Sequence, residues 1–137
     1  MIRHNMTKHK YIHNTQHRDG NPNKSQWIIS CANEKEIWNN APYSTNCPCY
    51  GLYVQNDKPD YLGIPAKSTL SPLKKLFIAK FRGSPNGIFF TWHGYPADTT
   101  LNTQDRPSED YLNEWMEKKY ISLAQASKIL KGKKCRL

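Results

Sequence analysis

Leu76-Phe77-Ile78-Ala79-Lys80-Phe81-Arg82, followed by Gly83-Ser84-Pro85-Asn86-Gly87 and then Ile88-Phe89-Phe90-Thr91-Trp92-His93, is the stretch on which the fold turns. Two apolar, aromatic runs flank a loop with glycine at both ends, the pattern of a β-hairpin. Paired symmetrically about that loop, Phe77, Ala79 and Phe81 face Trp92, Phe90 and Ile88 on one side. Leu76, Ile78 and Lys80 then face His93, Thr91 and Phe89 on the other. The first side is expected to be core. The second mixes Lys80, Arg82, Phe89 and His93, and no Asp or Glu occurs from Tyr61 to Ala97.

Toward the N-terminus, Trp27-Ile28-Ile29-Ser30-Cys31 suits a short strand, with a helical turn around Glu34–Trp38. A turn-rich stretch from Asn39 to Tyr50 leads into Tyr50–Gln55, which alternates like a strand and ends in the turn chemistry of Asn56–Asp60. Toward the C-terminus, Pro107 with Ser108, Glu109 and Asp110 marks a helix start, and Tyr111, Leu112, Trp115 and Met116 form its apolar stripe. Ser122-Leu123-Ala124-Gln125 is a capping box for a second helix that runs to about Leu130 and stops at Gly132. These signals predict an α+β fold: a small antiparallel sheet built around a β-hairpin at about 75–93, with a C-terminal αα-hairpin packed on it. At 137 residues one domain is expected. It is read as 27–132, preceded by a mobile basic His/Asn-rich arm over 1–26 and followed by a basic tail over 133–137.

The net charge of +9 is unevenly placed. Residues 1–26 carry +4 and residues 128–137 carry +5, so the middle is neutral. Basic ends point to an anionic partner, DNA or RNA, or to a nucleic-acid-processing protein. No stretch approaches the roughly 20 apolar residues of a membrane span, and the first residues lack the apolar core of a signal peptide, so a cytoplasmic location is expected. The four cysteines are then expected to be reduced thiols. Cys47-Pro48-Cys49 is one residue short of the usual zinc pair. His9, His13 and His17 would share a face if the arm were helical, but a solvated arm is the simpler reading, and no metal or cofactor is expected.

Tyr120-Ile121-Ser122-Leu123-Ala124-Gln125-Ala126-Ser127-Lys128-Ile129-Leu130-Lys131-Gly132 resembles the turn and recognition helix of bacterial helix-turn-helix regulators. Tyr120 stands where that family commonly has glycine, and Met116 where it commonly has alanine. The resemblance implies exposed recognition positions at Ser122, Leu123, Ala124, Ser127 and Lys128.

Three functional expectations follow. The first is nucleic-acid binding by Lys74, Lys75, Lys80, Arg82 and Phe89 around the hairpin, with Lys128, Lys131, Lys133 and Lys134 at the C-terminal end: cations for phosphate and an aromatic ring for base stacking. The second is a small interaction or inhibitor protein acting on a nucleic-acid enzyme and presenting Trp38, Tyr43 and Tyr53. The third is a metal-independent site for phosphodiester cleavage, of the kind small basic RNA-cleaving toxins use: His93 as general acid or base, Arg106 or Lys80 on the phosphate and Tyr95 as a positioning hydroxyl. No phosphate-binding glycine loop, nucleophile elbow or His-Glu-x-x-His pattern is present, which argues against common nucleotide hydrolases, acyl hydrolases and zinc peptidases.

Overall fold

In the computed structural model, which describes residues 8–137, the hairpin forms with a tighter turn than symmetric pairing about Gly83–Gly87 predicts. Its arms run Ile78–Asn86 and Phe89–Ala97, so Gly83, Ser84 and Pro85 belong to the strand and only Gly87 and Ile88 make the turn. Gly87 has φ 66°, the left-handed conformation that a II′ connection reserves for glycine at its first central position. Phe81 therefore meets Gly94 rather than Ile88, a slip of six residues. Because six is even, the strand residues Ile78–Arg82 and Phe89–His93 keep the faces expected of them while every partner changes. Phe77, just before the strand, packs with Ile78 on the helix-pair side instead, and Ile88, expected in the core, lies in the turn at 61% exposure.

The slip follows from shape. A Cβ on Gly83 would sit 2.4 Å from the Phe90 ring, and one on Gly94 would sit 2.4 Å from Phe81. Each large ring lies over a residue with no side chain, and in this pairing Phe81 and Trp92 are both 0% exposed.

Among the described residues the elements follow in the order β1 (Lys8–Tyr11), β2 (Gln26–Trp27), α1 (Cys31–Asn40), β3 (Cys49–Gln55), β4 (Lys58–Asp60), β5 (Gly63–Ile64), β6 (Ile78–Asn86), β7 (Phe89–Ala97), α2 (Glu109–Glu117) and α3 (Leu123–Leu130). The main sheet is ordered β1-β7-β6-β3-β4, and β2 pairs separately with β5. The protein is α+β as expected, with α2 and α3 packed on the sheet; within that sheet β1 pairs with β7 in parallel and the other pairings are antiparallel. Asn56 and Asp57, both at positive φ, close the β3–β4 hairpin.

One sheet face carries Phe81, Phe90, Trp92 and Tyr11 and is covered by α1 through Ile37 and Trp38, with Trp27 and Leu62 completing that core. The other face presents Tyr50 and Ile78 to Leu112, Trp115, Ile121 and Ile129 of the helix pair. That pair covers only part of its face. Among the described residues, no helix is long and apolar enough to cross a membrane.

The expected arm over 1–26 requires correction where it is described; residues 1–7 lie outside the described residues. Lys8–Tyr11 form the edge strand beside β7, and Tyr11 and His17 are 9% and 8% exposed. The polar composition of this segment hides its anchors. Glu34 of α1, 0% exposed, accepts hydrogen bonds from the Tyr11 hydroxyl and from Arg18 Nε (3.0 Å) and Nη2 (2.7 Å). A buried carboxylate must be paired, and both partners come from the predicted arm. At the other end Cys135 is 3% exposed and Leu137 N donates to Tyr61 Oη at 3.2 Å, so residues 133–137 lie against the domain.

Both C-terminal helices end in Schellman motifs. In α3, Lys133 N bonds Lys128 O (2.8 Å) and Gly132 N bonds Ile129 O (3.1 Å), with Gly132 at φ 69°. In α2 the left-handed position is Lys119, at φ 64°. Lys119→Gly is therefore expected to stabilise the protein by about 1 kcal/mol. Gly94→Ala, which drives a methyl into Phe81, should destabilise it by roughly 1–3 kcal/mol. Urea unfolding curves of the two variants check both signs.

Candidate nucleic-acid interface

β1, β6 and β7 contain no Asp or Glu, and their alternation sets the composition of the uncovered part of the second sheet face. Along β6, Ile78, Lys80 and Arg82 point to this face, and opposite them stand Ala97, Tyr95 and His93. Ile78 and Ala97 lie under the helix pair. Past them the two strands leave the helices behind.

Lys80 sits at that boundary and is not a surface cation. It is 3% exposed, donating to Gln104 O (2.5 Å) and to Asp105 Oδ1 (3.1 Å). Asp105 Oδ1 also accepts from the Tyr95 hydroxyl at 2.6 Å. Burial and this carboxylate push the Tyr95 phenol far above its ordinary range. The ion pair holds the 98–106 loop against β6, and opening it would leave an uncompensated buried charge, at a cost of roughly 3–5 kcal/mol. Lys80 is thus buried and paired, away from the surface on which phosphate binding was expected of it, while Tyr95 is half-buried. Arg106 is likewise engaged within the fold: its Nε donates to Thr99 O at 2.9 Å, and its guanidinium covers Gly132, where a Cβ would lie 2.0 Å from Nη2.

Beyond Lys80 the face opens. Arg82 and His93 are exposed and directly opposed across the hairpin. Phe89 is 39% exposed, and Lys10 Nζ lies 5.6 Å from its ring centroid. Lys8 and Lys10 point the same way as Phe89, because β1 pairs in register with β7. Sequence reasoning found Arg82, Phe89 and His93 here and missed Lys8 and Lys10, since nothing local marks Lys8–Tyr11 as a strand.

A cleft of about 350 Å³ adjoins this surface, lined by His17, Lys24, Arg82, Tyr95, Asn102 and Asp105 among others. His17 stacks on Tyr95 with ring centroids 5.3 Å apart and planes 16° from parallel. Its Nδ1 lies 2.8 Å from Ser25 O, so Nδ1 carries the proton and Nε2 is left as an acceptor. The histidine stripe that a helical arm would create does not form. His9 Nδ1 accepts from Trp92 Nε1 (3.0 Å), His13 lies beside Glu34, and His17 enters the cleft.

The remaining predicted cations lie elsewhere. Lys75 stacks over Tyr61, 5.5 Å from its centroid, and Tyr61 is the residue that anchors Leu137. Lys75 is thereby joined through Tyr61 to the C-terminal residue, and Lys74, Lys133 and Lys134 are exposed, as are Lys128 and Lys131 at the end of α3. On α3, Ser122, Leu123, Ala124 and Lys128 are exposed and Ser127 is half-buried. Trp38 is 4% exposed and stacked on Tyr43, with Tyr43 and Tyr53 half-buried, so the expected exposed aromatic surface is not present. A second cleft, about 410 Å³ between α1, β3 and α2, has Glu36 and Glu114 on its walls and only Lys118 to oppose them, which does not suit phosphate.

Comparison with protein-family models, curated proteins and solved structures finds no match to this chain.

Burial holds the His17 imidazole below its ordinary value. Below about pH 6.5 the unfolded chain takes up a proton that folded His17 resists, so its contribution to stability is present above that pH and is lost as pH falls toward the folded value. Urea midpoints measured between about pH 7 and pH 5 should therefore decline, and the decline should be shallower in His17→Gln.

Proposed function

We propose that this protein binds nucleic acid, laying a single-stranded segment across the uncovered part of the sheet. The observation that carries the reading is the set Lys8, Lys10, Arg82, His93 and Phe89 on three adjacent strands that contain no carboxylate. Cations along a groove with an exposed ring for base stacking are the recurring means of holding single strands. The exposed Lys74, Lys75, Lys133 and Lys134 add further phosphate contacts. Charges for phosphate and a ring for stacking act on any base, which supports binding with little sequence preference.

Fluorescence anisotropy with single-stranded RNA and DNA oligonucleotides over a salt series tests this. Affinity should fall steeply with salt. Arg82→Ala and Lys10→Ala should each reduce the slope of log K against log salt by about 0.7. Phe89→Ala should cost about 1–3 kcal/mol and leave the slope unchanged. Absent binding, or binding insensitive to salt, overturns the proposal.

His17 favours a second reading, cleavage of the bound strand. Its uncommitted Nε2 and the Arg82 guanidinium share the cleft, with the His93 imidazole opposite Arg82, which supplies two imidazoles and a cation for metal-free phosphodiester chemistry. Under this reading RNA is cut in the presence of a chelator, and His17→Ala or His93→Ala lowers the rate by about 100-fold or more. Binding without cleavage leaves the first reading alone.

A further inference from the structure

Four cysteines are present, and one of them is exposed. Burial pushes the Cys49 thiol up to about 12 and raises that of Cys135, while half-buried Cys47 donates its thiol to Gly83 O at 3.2 Å. Cys31 instead stands at the first position of α1, with its thiol open to solvent and Glu34 one turn further on the same helix face. His13 comes from the segment after β1. One donor atom from each of His13, Cys31 and Glu34 lies within 4.8 Å of the other two, the one such grouping among the described residues.

We propose that His13, Cys31 and Glu34 bind a single zinc ion. His13 Nδ1 is 3.2 Å from Glu34 Oε2, yet it is buried and has no hydrogen-bond partner. A shared cation satisfies both atoms. Two ligands each about 2.05 Å from a zinc ion are 3.2 Å apart when the angle between them is about 103°, close to tetrahedral. A sulfur at about 2.3 Å belongs about 3.5 Å from each of them, so Cys31 has at most roughly 1.3 Å to close, which rotation of an exposed side chain provides.

The charges select the metal. Glu34 Oε1 is already held by both Arg18 donors, and Oε2 accepts from the Tyr11 hydroxyl while keeping one lone pair. The carboxylate is therefore neutralised by its neighbour. Negative charge for a dication must come from Cys31, whose thiol releases its proton to solvent on binding. One shared oxygen is too little for calcium or magnesium, which need several. Imidazole, thiolate and one carboxylate oxygen suit zinc, with the fourth position left to water on the exposed side. The ion would tie the segment after β1 to α1.

The test uses the full chain, stripped with a chelator and titrated with cobalt(II). One equivalent should produce a thiolate-to-cobalt charge-transfer band and the intense visible absorption of a tetrahedral site, and zinc should bleach both. Excess magnesium or calcium should leave them unchanged. Cys31→Ser, an exposed substitution whose folding is checked by far-UV circular dichroism, should lose the charge-transfer band, and zinc should raise the thermal midpoint of the wild type but not of this variant. His13→Gln should weaken binding by more than about tenfold, the loss already seen for partners one layer further from a metal. Absence of the charge-transfer band in the wild type, or its survival in Cys31→Ser, overturns the proposal.

Discussion

Rings lying over glycines set the register of the central hairpin, and the rest of the molecule is arranged around that register. Phe81 over Gly94 and Phe90 over Gly83 leave Arg82 opposite His93 and Lys80 opposite Tyr95. Had the strands paired six residues out, Lys80 would face Phe89 at the open end instead of the 98–106 loop. Close packing is the cause: in an interior at crystal-like density, a ring is placed where a neighbour lacks a Cβ.

Two ion pairs with buried carboxylates then join to the sheet the segments that composition marks as irregular. Lys80 with Asp105 anchors the 98–106 loop on one face, and Arg18 with Glu34 anchors the N-terminal segment on the other. Such pairs add little net stability against the cost of desolvating them, but each penalises any arrangement that leaves a charge alone. They specify position. The same pairs remove Lys80 from the surface and bring His13 and His17 from a solvated stretch into contact with the core.

What remains exposed is consequently more selective than the overall charge of +9 implies. One cationic surface combines Arg82 and His93 with β1 lysines, and elsewhere Lys75 meets the C-terminal residue through Tyr61. In both, residues distant in sequence act together, while Glu34 and Asp105 are buried in pairs, Asp98 is buried against the Ser71 and Thr100 hydroxyls, and the other carboxylates apart from Asp19 stand on α1, α2 and the β3–β4 hairpin.

Local sequence specified the main strand runs, the alternation of faces within the paired part of the hairpin, the capping box at Ser122 and Gln125, the helix stop at Gly132, and hence the α+β class. Each depends on residues within a few positions of one another. It also placed Arg82, Phe89 and His93 on a common surface, because period-two alternation survives any even slip of register. Tertiary structure alone decided the pairing partners, the incorporation of Lys8–Gln26, the burial of Lys80 and the meeting of His13, Cys31 and Glu34. Those outcomes rest on which ring finds a missing Cβ and which buried charge finds its counterion across long stretches of chain. Neither condition leaves a periodic mark in the sequence.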